Sequence, residues 1–262
     1  MLAAVVMGDV KRLAKLIGQN PGFNVNMDQN AEGHTLLHYA CSEGYRSAVI
    51  PLLLAHPDID VNVEHIYGNQ PFYMACWNGN PSCVREMLKD SRVDVNETNG
   101  EGHTPLRNAA YRGHLNTIKW WIASGREMDL GTPGYFSKSD AIGVAKDWGK
   151  TAVVTLLEKF KEYPKETRHR VRKELGWYTE LAAEMFALVV FVSDGLLQIK
   201  DTTTPSPAAR FFYVASQLPL ELQMVLCFRQ VGSEKEIISG KDSEVAFKEL
   251  ARRLLWSSMF TN

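Results

Sequence analysis

The sequence predicts an all-α chain. About five stacked helix–turn–helix repeats with short β-turn fingers form a solenoid over residues 1–160. A charged connecting helix or linker covers 161–176, and a small helical domain covers 177–262. Three observations predict this. A turn glycine recurs at Gly33, Gly68 and Gly102, about 34–35 residues apart. A second glycine recurs between paired apolar segments at Gly8, Gly44, Gly79, Gly113 and Gly149. After Gly176 the period is lost.

The clearest copy runs from Glu101 to Gly125, EGHTPLRNAAYRGHLNTIKWWIASG. Thr104 is placed to cap a helix, and Pro105 falls at the first helical position, where its missing N–H costs nothing. Leu106, Ala109 and Ala110 share one face, and the small alanines admit a neighbouring helix. Gly113 ends the helix in a left-handed conformation that other residues adopt only with strain. Ile118, Trp121 and Ile122 give the second helix its apolar face. A pair this thin cannot bury that face alone, so the repeats must stack.

The phrases HTLLHYACSEG from His34, NQPFYMACWNG from Asn69, HTPLRNAAYRG from His103 and DAIGVAKDWG from Asp140 align. With a closing Asp-Val-Asn at Asp60–Asn62 and Asp94–Asn96, and its variant Asn24–Asn26, this pattern resembles the ankyrin repeat. The resemblance covers roughly Met1 to Phe160. In that family the position of His38 makes hydrogen bonds between repeats, which the resemblance implies here.

Taken in order, repeat 1 lacks its turn, and its second helix runs from about Val10 to Ile17, with Asp9 as cap and Pro21 as stop. Repeat 2 packs Ala40, Val49, Leu52 and Leu53 inward, and Pro51 predicts a kink or an early break in its second helix. Repeat 3 packs Phe72, Met74, Ala75, Val84, Met87 and Leu88, with a weaker start because Gln70 stands where Thr would cap. Repeat 5 is degenerate, with a longer lead-in between Gly131 and Ser139, and closes the array. A mixed-charge run from Lys159 to Lys173 is expected as a solvated helix after Pro164. Beyond it, Tyr178–Val192 is expected as a buried helix. Asp194-Gly195 leaves a hairpin open over Val189–Ile199. Asp201–Pro207 is a loop, Ala208–Gln217 and Pro219–Arg229 are two helices, and Gly232–Ser243 is turn-rich. Val245–Trp256 is the last helix, with Phe247, Leu250, Leu254 and Leu255 inward.

Composition narrows function. A hydrophobic share of 45% and a charged share of 23% are ordinary for a globular chain. A net charge of −1 lacks the basic excess of a nucleic-acid binder. Cys41, Cys76, Cys83 and Cys227 have no paired spacing, so a reducing compartment is expected. No secretory signal is visible, and Met185–Val192 is too short to cross a bilayer. The cytoplasm is the expected compartment, with the nucleus also open. No phosphate loop, metal-ligand spacing or nucleophile motif is present, so no enzyme activity, metal or cofactor is expected.

What the ankyrin resemblance implies instead is a protein partner held on a concave face by a monomeric scaffold. Carried over by position, the ends of the first helices are Ser42 and Glu43, Trp77 and Asn78, Tyr111 and Arg112, then Asp147 and Trp148. Finger positions are His34, Tyr67, Asn69, Glu101 and His103. Core packing has no use for a Trp pointing away from the core, and aromatic and Arg side chains are favoured interface anchors. Trp77 and Tyr111 hold equivalent positions and are expected side by side. Packing of Trp77 on its own finger or on the C-terminal domain is the alternative. A rival reading starts at Leu218-Pro219-Leu220-Glu221-Leu222, which resembles an F-box opening. It implies a substrate adaptor whose C-terminal helices bind a ubiquitin ligase. Pro and Glu at a helix start are also ordinary choices.

Overall fold

The computed structural model describes residues 1–131, 140–198, 206–233, 235 and 237–260, with side chains as far as residue 254. Among the described residues it holds fifteen α-helices, one 3-10 helix and no strand. Two compact units are present, the first built on residues 1–171 and the second of residues 172–255. Their boundary falls inside the charged helix that follows Pro164.

The first unit is five helix pairs: α1 (Leu2–Val6) with α2 (Val10–Gln19), α3 (Leu36–Ser42) with α4 (Ile50–Leu54), α5 (Pro71–Trp77) with α6 (Pro81–Leu88), α7 (Pro105–Arg112) with α8 (Leu115–Ser124), and α9 (Ala141–Asp147) with α10 (Thr151–Glu162). The caps follow the residue chemistry. Asp9 Oδ1 accepts the Arg12 N–H at 2.9 Å, and Thr104 Oγ1 accepts the Arg107 N–H at 3.2 Å. Gln70 makes no cap bond, as its side chain predicts. The break at Pro51 is present: a 3-10 helix, Gly44–Val49, precedes α4, which carries Pro51 in its first turn. A proline there has no N–H to donate, and its ring crowds the carbonyl four residues back.

Ala40, Ala75, Ala109, Ala110 and Ala145 are fully buried along the first helices, where their size lets neighbours close in. Cys41, Cys76 and Cys83 are buried free thiols, and burial raises all three well above the usual thiol range, Cys83 to about 12. One core expectation needs correcting. Met74 is half-buried rather than buried, because it lines the concave groove described below.

Polar side chains set the register between repeats. Asn26 donates to the Asp58 carbonyl at 2.7 Å and accepts the Asp60 N–H at 2.9 Å. Asn62 repeats this with Arg92 and Asp94 at 2.9 and 2.8 Å, and Asn96 with Glu127 and Asp129 at 3.4 and 2.9 Å. The Asn of Asp-Val-Asn is therefore a staple to the following repeat. A second set lies at the starts of the second helices: Arg46 Nε donates to the Val6 carbonyl, Asn80 to Cys41 and His114 Nε2 to Trp77. The unit ends on the first part of α11 (Pro164–Glu174). There Thr167 and Val171 are buried, and Arg168 Nε donates to the Ile122 carbonyl at 3.1 Å. The remaining α11 side chains are exposed or half-buried. The lead-in to repeat 5 over 132–139 lies outside the described residues.

The second unit contains α12 (Trp177–Ser193), α13 (Pro207–Ser216), α14 (Leu220–Gln230) and α15 (Gly240–Phe260) as far as Leu255. The hairpin left open at Asp194-Gly195 is not formed in the described residues: α12 runs to Ser193, and Gly195 follows with φ +70°. Ile199 and the loop over 201–205 lie outside them. Ala182, Ala183, Phe186, Ala187, Val189, Ala215, Cys227 and Phe228 form the apolar cluster, with Phe247 and Leu250 packed partly against it. α15 starts five residues before Val245. Ser239 Oγ accepts the Asp242 N–H at 3.2 Å there, a helix-start bond that makes 240–243 helical rather than turn. The side chain of Leu255 lies outside the description.

Candidate functional site

The concave side of the first unit is built from its fingers, the loops at residues 30–34, 65–69 and 99–103. Each is closed by one side chain that accepts two backbone bonds or a local substitute. Asn30 Oδ1 accepts the N–H of Glu32 and of His34 at 3.1 and 3.0 Å. Asn99 Oδ1 accepts those of Glu101 and His103 at 3.1 and 3.0 Å. In the middle finger His65 takes the place of the Asn, and its Nδ1 accepts the Tyr67 N–H at 3.0 Å. Fingers join edge to edge: the Ile66 N–H donates to the Glu32 carbonyl at 3.0 Å, and the Gly100 N–H to the Tyr67 carbonyl at 3.2 Å. Glu32, Tyr67 and Glu101, each just before a turn glycine, therefore stand in one row.

Behind the fingers, His38 ties repeat 2 to repeat 3. Its Nδ1 accepts the Thr35 N–H at 3.1 Å, so the neutral ring carries its proton on Nε2, which donates to the Asn69 carbonyl at 3.0 Å. The ring is fully buried, and that burial pushes its pKa down to about 4. In repeat 3 the equivalent position is Tyr73. Its hydroxyl accepts bonds from Asn99 and Asn108 at 3.0 and 2.6 Å, and burial pushes it well above the usual phenol range. His34, His38 and His65 pack together, with His34 and His65 rings 4.6 Å apart. Burial also lowers His65 and His103. His103 Nδ1 lies 3.1 Å from Glu101 Oε2.

These elements enclose an open groove of about 690 Å³. It brings together His34, Tyr67, Asn69, Trp77, Asn78 and Glu101 from the sequence-derived surface, and adds Glu32, His65, Ile66, Tyr73, Met74 and Asn99. Register alone was enough to find two of the additions. Glu32 aligns with Tyr67 and Glu101, and Tyr73 aligns with His38. Met74 carried no such signal, because its neighbours in the phrase are core residues.

Beyond the groove, the expected Trp77–Tyr111 pair is corrected. Arg112 covers the Trp77 ring at 4.0 Å, Tyr73 lies parallel to Trp77 at 6.4 Å, and Tyr111 packs edge-on against Trp148 at 4.7 Å. The offset has a physical cause: the flexible guanidinium of the next repeat reaches back over the indole face, a favourable cation–π contact, and Tyr111 turns forward to the next ring. Trp77 and Tyr111 are half-buried, Arg112 is exposed, and Trp148 is 58% exposed. Glu43, in repeat 2, is exposed. It lies outside both the groove and the aromatic strip.

Family models described as ankyrin repeats match residues 1–99, with three copies, and residues 82–121, with many copies. Residues 1–121 are ankyrin repeats. The ankyrin array is similar to the SMC5-SMC6 complex localization factor protein 1 of Bos taurus, 39% identical over 97 residues, which are 37% of this chain and 9% of that protein. It is 27% identical over 139 residues to the serine/threonine-protein kinase TNNI3K of Mus musculus, 50% of this chain and 17% of that one, and the match lies in the ankyrin region. Rabankyrin-5 of Homo sapiens is 31% identical over 102 residues, 39% of this chain and 9% of its own length. These matches thus take in less than a fifth of each relative. Ankyrin repeats are protein–protein interaction modules, and the ankyrin family is typically non-enzymatic.

Proposed function

We propose that the array is the working part of a scaffold or regulator that binds a protein partner along its concave face and has no chemistry of its own. The observation that carries this is the aromatic strip: Tyr73, Trp77 and Arg112 stack on the concave side, and Tyr111 with Trp148 continues it toward repeat 5. Trp77, Tyr111 and Trp148 are large, partly exposed rings over or beside this packing, and with the exposed Arg112 they are the kinds of side chain that dominate interface energies. The reading includes a monomer in the cytoplasm or nucleus that engages neither nucleic acid nor membrane. Affinity purification with the whole chain, followed by calorimetry with the recovered partner, tests it. Trp77→Ala is expected to weaken that partner's binding tenfold or more with the circular dichroism unchanged. Unchanged affinity in a folded variant moves the site off this face.

The adaptor reading has one observation in its favour. Leu222 is 50% exposed and Leu218 half-buried at the start of α14, where a ligase subunit would need apolar contacts. Gln223 Nε2, donating to the Leu218 carbonyl at 2.9 Å, holds that turn in shape. Failure of the intact chain to bind purified ligase linker subunit removes this reading.

A further inference from the structure

The row of finger tips has a charge pattern that selects its ligand. Glu32, Tyr67 and Glu101 sit at equivalent positions in three successive fingers, and backbone bonds between the fingers hold them in line. All three are exposed, with Tyr67 at 62%. Stacked helices pack about 10 Å apart, so equivalent finger residues of successive repeats recur about every 10 Å and the two carboxylates stand about 20 Å apart. Among the described residues, Glu32 and Glu101 are the only carboxylates lining the groove, and no lysine or arginine lines it. The floor between them is apolar and aromatic: Met74, Tyr73 and Trp77. Arg112, which lies over Trp77, is not part of the lining.

Resting on the concave-face reading, we infer that this groove takes an extended peptide segment bearing two basic side chains five to seven residues apart, with an apolar residue between them. The spacing follows from chain geometry: at about 3.3 Å per residue, six residues of extended chain cover 20 Å, and the length of Lys or Arg side chains tolerates one residue either way. Glu32 and Glu101 each receive one cation. The middle residue lies on Tyr67, Met74 and Trp77, which are exposed or half-buried, and an apolar or aromatic group there displaces water. A peptide with acids at those places meets like charge at both ends and is rejected.

The test is selection of a random twelve-residue peptide library displayed on phage against the immobilised whole chain, followed by fluorescence anisotropy with the synthesised winner. Expected winners carry Lys or Arg at positions five to seven apart. The Glu32→Gln/Glu101→Gln variant is expected to weaken the winner tenfold or more, and binding by the parent is expected to fall with added salt. Both carboxylates are exposed, so the variant keeps its fold, which circular dichroism checks. Winners without the basic pair, or binding that the double Gln variant leaves unchanged, overturn the inference. If Trp77→Ala still weakens such a winner, the concave-face reading survives while the charge rule falls. If neither variant matters, or nothing is enriched over the bare support, both fall.

Discussion

In the array, repeats are pinned by side chains that bond backbone groups 30 to 40 residues away: Asn26, Asn62 and Asn96 along one edge, Arg46, Asn80 and His114 along another, and His38 at the fingers. The 172–255 unit rests instead on an apolar cluster of small alanines around Phe186 and Phe228, with Ser193, Ser216 and Gln223 as a local polar knot. Hydrogen bonds have direction, so the first unit specifies its register bond by bond. Apolar packing does not, so the second specifies its arrangement through shape. The same contrast runs through the ionisable groups. All seven histidines fall between His34 and His169, in the first unit.

The largest expected effect breaks the second unit alone. Phe228 is fully buried, and Phe228→Ala is expected to destabilise it by about 3–5 kcal/mol through lost transfer energy and a cavity. Hydrogen exchange should show faster exchange in α12 and α14 with the finger amides of the array unchanged. Slowed or unaltered exchange in α14 would mean that the cluster is not what holds it.

Acid should act the other way round. The folded pKa of His38, about 4, lies below the ordinary histidine value. The fold therefore binds fewer protons than the unfolded chain, and this contribution is complete above about pH 6.5 and lost as pH falls toward 4. His56, His65, His103 and His114 shift in the same direction, each first through burial. Between pH 7 and 4 His38 alone represents on the order of 3 kcal/mol. Array amides should lose protection across that window in the parent, and a His38→Gln variant should show a shallower loss. Equal slopes in parent and variant would remove His38 from the account.

A third experiment sharpens the register argument at a backbone contact. Gly68 has φ +70°, and a Cβ there would lie 2.7 Å from the Gly100 backbone nitrogen. Gly68→Ala is expected to cost about 2 kcal/mol or more, from left-handed strain and from pushing two fingers apart. Urea titration reads the loss. The smallest effect belongs to a single staple: Asn62→Ala removes two inter-repeat bonds at an exposed edge and should cost about 1–2 kcal/mol, with the same slope against urea. A change near zero would show that water replaces those bonds without loss.

Sequence alone determined the period, the five helix pairs, the caps at Asp9 and Thr104, the break at Pro51 and the stacking alanines. All of these are local consequences of residue type: a proline lacks an N–H, a short hydroxyl or carboxylate reaches its own helix start, and helical spacing shows on which face a side chain falls. It also named about half of the groove's side chains, because equivalent positions in a repeat occupy equivalent places in space. Tertiary structure decided the rest. Arg112 rather than Tyr111 lies on Trp77, since a long guanidinium reaches across repeats and nothing local says which way it turns. Met74 faces the groove while Phe72 and Ala75 face the core, because that choice depends on where the neighbouring finger stands. In the second unit, whether residues after Ser193 turn into a hairpin or simply end a helix was open to local propensity. The apolar cluster around Phe228, assembled from segments far apart in the chain, accompanies the helical outcome.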